Sequence, residues 1–178
     1  MFTNFRCWLI LGCSLYDYGL GGSSQQWLLD LYEHMGFKMR RFVGWEADYY
    51  TPTALWSRVP NVQKKARLTY FNIPTSALAH NADNPFMHMK ALAKPEDYVV
   101  FKLDVDAPTV ELPLVQQILE SKELQSLIDE FFWEHHVIKS PTTAFWAEDT
   151  FDTNRTMADS FRLFSQLRHL GIRAHSWV

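Results

Sequence analysis

Apolar positions along this chain fall into two alternating rhythms. Residues 7–13, CWLILGC, form an unbroken apolar run, the pattern of a strand covered on both faces. After a glycine- and serine-bearing loop (14–24), Trp27, Leu28, Leu31, Tyr32 and Met35 recur at helical spacing and predict a helix over 24–35, stopped by Gly36. A strand over 40–47, a short helix at 52–57 and a strand over 67–73 follow. Residues 74–97 carry Pro74, Asn81, Asn84, Pro85 and Pro95 and read as irregular. The run DYVVFKLDVD (97–106) is the strongest strand. Val110, Leu114, Val115, Ile118 and Leu119 then predict a helix over 109–121. A short helix at 122–127 leads into a strand over 127–137. Met157, Phe161, Phe164, Leu167 and Leu170 predict a helix over 156–170, ended by Gly171, and 172–178 closes the chain as a strand. Strands alternating with amphipathic helices predict one α/β domain over 1–178, a mostly parallel sheet with helices on both faces.

Composition narrows the partners. The chain has 178 residues, 47% of them hydrophobic and 21% charged, enough for a core of its own. The net charge is −3, and no basic cluster is denser than Lys64, Lys65 and Arg67, so nucleic acid is not an expected partner. Cys7 and Cys13, on one strand, would stand roughly 20 Å apart, beyond the ~7 Å reach of a disulfide, which favours a reducing, cytoplasmic compartment. No apolar run approaches the ~18 residues of a membrane span. CWLILGC behind Arg6 has the outline of a short signal core or a lipoprotein box, but a single positive charge precedes it and a strand uses it better.

In an open parallel sheet, ligands bind beyond the carboxyl ends of the strands, where strand order reverses. FKLDVDAP (101–108) ends an apolar strand with two acids one residue apart, so Asp104 and Asp106 share a face with Lys102. Two carboxylates there belong in a wet cleft; alternatively one caps the next helix and the other pairs with Lys102. Three more features converge on that rim. The loop after the first strand carries Gly12, Ser14, Gly21 and Gly22, whose backbone a ligand can approach closely. Glu46, in GWEA, follows Gly22 by 24 positions, the place of an acid that grips ribose hydroxyls. Trp45 beside it either stacks on a base or fills the core. In FFWEHHV (131–137), Phe131, Trp133 and His135 share one face and Phe132, Glu134 and His136 the other. A histidine at a strand's carboxyl end can serve as a general base, or simply hold a structural hydrogen bond. No HxH, HxxxH or CxxC metal set, nucleophile elbow or P-loop occurs.

KLDVDA (102–107), FFWEHHV (131–137) and LRHLGIRAHSWV (167–178), in order after the glycine loop and GWEA, resemble the class I S-adenosylmethionine-dependent methyltransferases, and within them the FkbM-type group. That group ends its fourth strand in K-x-D-V-E-G and carries a glutamate shortly before a histidine on its fifth. The resemblance implies a three-layer Rossmann-like fold lacking the last antiparallel strand and S-adenosylmethionine as cofactor. It implies O-methylation of a sugar or other hydroxylated small molecule. Gly12, Ser14, Gly21 and Gly22 would then wrap the methionine moiety, Glu46 would bind the ribose, and Asp104 and Asp106 would border the transfer site. Asp106, His135 or His136 would be the base, with no metal required.

The chain departs from that pattern at Ile10, where the family has an acid two residues before its first glycine, and at Asp106–Ala107, where it has E-G. Two other readings therefore stand beside the first. One is a catalytically silent methyltransferase-like binding domain, or a fragment. The other takes DVD as the metal-holding pair of a nucleotide-sugar glycosyltransferase, bridging a diphosphate through a divalent cation. The segment 74–97 is the expected specificity loop.

Overall fold

The computed structural model describes residues 6–19, 24–140, 147 and 150–177. Six strands, β1 (Arg6–Leu11), β2 (Arg41–Trp45), β3 (Leu68–Phe71), β4 (Tyr98–Leu103), β5 (Glu130–Trp133) and β6 (Arg173–Ser176), form one sheet in the order β3-β2-β1-β4-β5-β6. Every neighbouring pair is parallel. The continuous apolar runs of β1 and β4 follow from that topology: both are central, and both sheet faces are buried over them. Strand order reverses between β1 and β4, which opens a crevice at their carboxyl ends.

Alternate residues of each strand feed two cores. Leu9, Leu11, Val43, Phe101, Leu103, Phe131 and Trp133 pack on one face against α4 (Pro85–Leu92), α5 (Pro108–Glu120), α6 (Lys122–Leu127) and α7 (Met157–His169). Trp8, Ile10, Phe42 and Val100 pack on the other against α1 (Ser24–His34), with Val59 following α2 (Pro52–Ser57). Leu114, Val115 and Ile118 of α5 are buried, each contributing about 1.5–3 kcal/mol relative to exposure. α7 opens on a capping box, Thr156 accepting from the Asp159 backbone while Asp159 accepts from that of Thr156.

Two expectations are corrected. The segment 74–97 is not wholly irregular: Asn84 accepts from the Phe86 N–H and Pro85 sits at the first helical position, so the two residues read as breakers start α4. A further short helix, α3 (Val62–Lys65), is capped by Asn61. The expected fifth strand over 127–137 shrinks to Glu130–Trp133, because Leu127 still ends α6 and Glu134 to His136 lie past the ladder. Cys7 and Cys13 are both buried free thiols. Among the described residues no helix is long and apolar enough to cross a membrane.

Candidate functional site

The carboxyl ends of β1, β2 and β4 are locked to one another by backbone contacts that demand particular residues. Gly12 has φ +66, and a Cβ there would lie 1.4 Å from the Asp104 carbonyl oxygen, so only glycine lets β1 approach the end of β4 this closely. The Gly12 and Cys13 N–H groups both donate to the Trp45 carbonyl, at 3.1 and 3.2 Å. Glu46, one residue past β2, accepts from the Ser14 N–H at 2.7 Å with one oxygen and from the Asp48 N–H at 2.9 Å with the other. The two oxygens together offer about four acceptor positions, so each can accept once more. Asn72, just past β3, donates to the Glu46 carbonyl at 2.9 Å and accepts from Tyr50 N–H at 2.7 Å.

These contacts enclose a cleft of about 420 Å³. Gly12, Ser14, Glu46, Asp104 and Asp106, all singled out from the sequence, line it together; Gly21 and Gly22 lie outside the described residues. Trp45 fills the core, buried and stacked on Phe71 at 5.1 Å, and it also borders the cleft. Pro74 and Thr75, past β3, and Val110, in the first turn of α5, also line it. Five carboxylates line the cleft (Glu46, Asp48, Asp104, Asp106 and Glu134), while no Lys or Arg does among the described residues.

The cation nearest this rim lies beneath it. Lys102 is fully buried, bonded to Asp104 and set 4.8 Å over the Trp177 ring. Asp104 thus takes the lysine partnership foreseen for one of the two acids. Asp106 does not take the cap: α5 begins after Ala107 with no side-chain cap, and Asp106 turns into the left-handed region at φ +53. Its carboxyl pKa is raised by burial and by Asp104, and its Oδ1 has no hydrogen-bond partner among the described residues.

His136 Nδ1 faces that oxygen at 3.6 Å, and its Nε2–H donates to Glu134 at 2.8 Å. Burial pushes the imidazole pKa down, but Glu134 and then Asp106 outweigh burial and raise it. The Glu134 pKa is raised by burial, with Asp104 adding to the effect. The two histidines part, as strand alternation foresees. His135 stacks on Trp133 at 3.9 Å on the α7 side, its Nδ1 at 3.0 Å from Ser160 and its Nε2 at 3.4 Å from Asp152. Burial lowers its pKa to about 4, so it is neutral at pH 7. Asp106 and His136 are brought together, and His135 is held away from them.

Glu111 went unnoticed in the sequence. It accepts from the Val105 N–H at 2.9 Å and the Trp133 indole N–H at 3.0 Å, tying the DVD turn to the end of β5. Burial raises its pKa to about 7. The signal was present: Glu111, Leu114, Val115 and Ile118 share one helical face, so an acid stood where the pattern demanded an apolar residue.

Among the described residues no cluster of three or more His, Cys, Asp or Glu is arranged to hold a metal ion. No protein-family model matches the chain, and no curated protein matches it.

Proposed function

We propose that the cleft binds S-adenosylmethionine and that the protein transfers its methyl group to a hydroxylated small molecule. The observation that carries this reading is the cleft's charge: five carboxylates and no lysine or arginine among its described lining residues, around a glycine turn at the switch point. Such a lining attracts a cation and repels a diphosphate, which favours a sulfonium donor over a nucleotide sugar.

Glu46, which still has acceptor positions, takes the ribose hydroxyls. The backbone around Gly12 and Ser14 meets the amino-acid end, and Trp45, Pro74 and Thr75 flank the base. Bound there, the cofactor would supply an electrophilic methyl on positively charged sulfur. The protein's own part is to orient the acceptor hydroxyl and remove its proton. The Asp106–His136 pair takes that proton, and Glu134 stabilises the imidazolium that results.

The test is the melting temperature of the folded protein with saturating S-adenosylhomocysteine, followed by calorimetry without added metal. At a hundred times Kd, binding adds about 2.7 kcal/mol of stability. We expect an upward shift in the protein and none in Glu46→Ala. Failure of S-adenosylhomocysteine to move the melting point overturns the proposal.

A further inference from the structure

A second chamber of about 160 Å³ opens beyond the carboxyl ends of β5 and β6, along one face of α7 from Met157 to Arg168. It shares one lining residue, Glu134, with the acidic cleft. His136 lines the chamber, and its Nδ1 reaches back to within 3.6 Å of Asp106 in the cleft. The base pair of the proposed reaction therefore stands at the junction of the two cavities.

We propose that this chamber is the acceptor subsite and that it takes a single aromatic ring bearing a hydroxyl, a one-ring phenol. The inference rests on the methyl-transfer reading above. Its apolar walls are Met157, Phe161 and Phe164 along α7, surfaces that suit a flat apolar ring. Its volume matches that ligand, since a cavity of about 150 Å³ with apolar walls accommodates benzene. A sugar ring would need several hydrogen-bonding groups around it, and some of those on the floor are already engaged. His135 is engaged with Ser160 and Asp152, and Arg168 Nε–H donates to the Ala174 carbonyl at 2.9 Å. The polar end that faces the cleft is the Glu134–His136 pair, where the phenolic hydroxyl belongs. In the transfer, the phenol oxygen forms the new bond to carbon, and the donor's carbon–sulfur bond breaks with its electron pair staying on sulfur. The phenolic proton passes to the His136–Asp106 pair.

Catechol is the probe, titrated by calorimetry into the full chain saturated with S-adenosylhomocysteine, with glucose and cyclohexanol as controls. Phe161 is the variant of choice because it lines the chamber yet is 65% exposed, so Phe161→Ala leaves the fold intact. We expect catechol to bind, the controls not to, and Phe161→Ala to weaken catechol at least tenfold while leaving the product-induced melting shift unchanged. Glucose binding in place of catechol, or an unchanged catechol affinity in Phe161→Ala, overturns the inference and leaves the methyl-donor reading standing. If catechol binds as expected but S-adenosylhomocysteine shifts nothing, the donor reading fails, and with it the chamber's role as an acceptor site.

Discussion

Glu130 and Glu134 stand four residues apart at opposite ends of β5, and each pairs with a histidine nitrogen at 2.8 Å, His175 and His136 respectively. Their surroundings differ in kind. At the amino edge of the sheet, Glu130 also accepts from the Tyr32 hydroxyl and from Tyr98 at 2.7 Å, and Arg173 donates to Tyr98. Burial raises the Glu130 pKa, but the two tyrosines and Arg173 outweigh it, and the net shift is downward. At the carboxyl edge, Glu134 has a single histidine donor among the described residues and faces Asp104, and its pKa is pushed up. One carboxylate is the centre of a saturated knot that helps to hold α1, β4, β5 and β6 together. The other belongs to a row of acids that outnumber their cations along a cleft. Saturated polar networks fix a fold, whereas acids held in excess around a cavity are where chemistry is found.

The comparison breaks first on stability. Glu130→Ala leaves the buried Tyr32 hydroxyl, Tyr98 and His175 without their acceptor, and we expect a loss of about 3 kcal/mol in urea denaturation. On the proposed function, methyl transfer per folded molecule should be unchanged. A loss below about 1 kcal/mol would mean that the amino-edge knot is ornamental and that the contrast between the two glutamates is false. Glu134→Gln tests the other side. The amide oxygen still accepts from His136, but it brings no charge to stabilise the imidazolium. Transfer should fall about a hundredfold, equivalent to ~2.7 kcal/mol of barrier. The protein should be as stable as before or more so, since repulsion from Asp104 is removed. An unaltered rate would put Glu134 in the same structural class as Glu130.

How much of this the sequence disclosed follows from what each signal measures. The central strands were legible because burial on both faces leaves no polar position, as in CWLILGC and DYVVF. Asp104, Asp106 and Glu46 were legible because acids ending apolar strands have few structural excuses. Strand alternation also separated His135 from His136. What stayed hidden depends on context. Asn84–Pro85 both breaks and begins a helix, and the choice is made by Phe86 and Met89 finding a core to enter. The fifth strand was overdrawn because the alternating pattern of FFWEHHV continues past Trp133 after the chain leaves the ladder. Glu111 was missed because a helix dominated by leucine, valine and isoleucine masks a single acid on its buried face. Glu130 carried no signal, since its donors lie 98, 32 and 45 residues away in sequence.

His135 supplies a pH-dependent test of the same contrast, because it is buried neutral next to the pair that titrates. With a folded pKa of about 4 against 6.5 in the unfolded chain, the unfolded state binds its proton first as pH falls. Its contribution is complete above pH 6.5 and is lost steadily down to about pH 4. Glu111 opposes this: its pKa of about 7 favours the folded state below the unfolded carboxylate value and withdraws that favour as pH rises through 7. The difference between the protein and His135→Gln isolates the histidine. We expect the gap in unfolding free energy to narrow by on the order of 2 kcal/mol between pH 7 and pH 4. A gap independent of pH would show that burial does not lower the His135 pKa in the fold.

Tyr98→Phe is the smallest and most local probe of the amino edge. It removes the hydroxyl that donates to Glu130 and accepts from Arg173 while keeping the ring against Phe37 at 6.0 Å. The Tyr32 and His175 partnerships of Glu130 persist, so the carboxylate stays satisfied and the loss at neutral pH should be about 1 kcal/mol. The Glu130 pKa, held below its ordinary value in the protein, should rise toward it. A carboxylate with a lowered folded pKa stabilises above its unfolded pKa and loses that contribution as pH falls through the folded one. The acid-side loss should therefore be smaller and should end at higher pH in the variant, and carbon-detected NMR titration of the Glu130 carboxyl should show its midpoint moved up. No movement of that titration would assign the lowering to Tyr32, Arg173 and His175 and shrink the knot to its α1 and β6 partners.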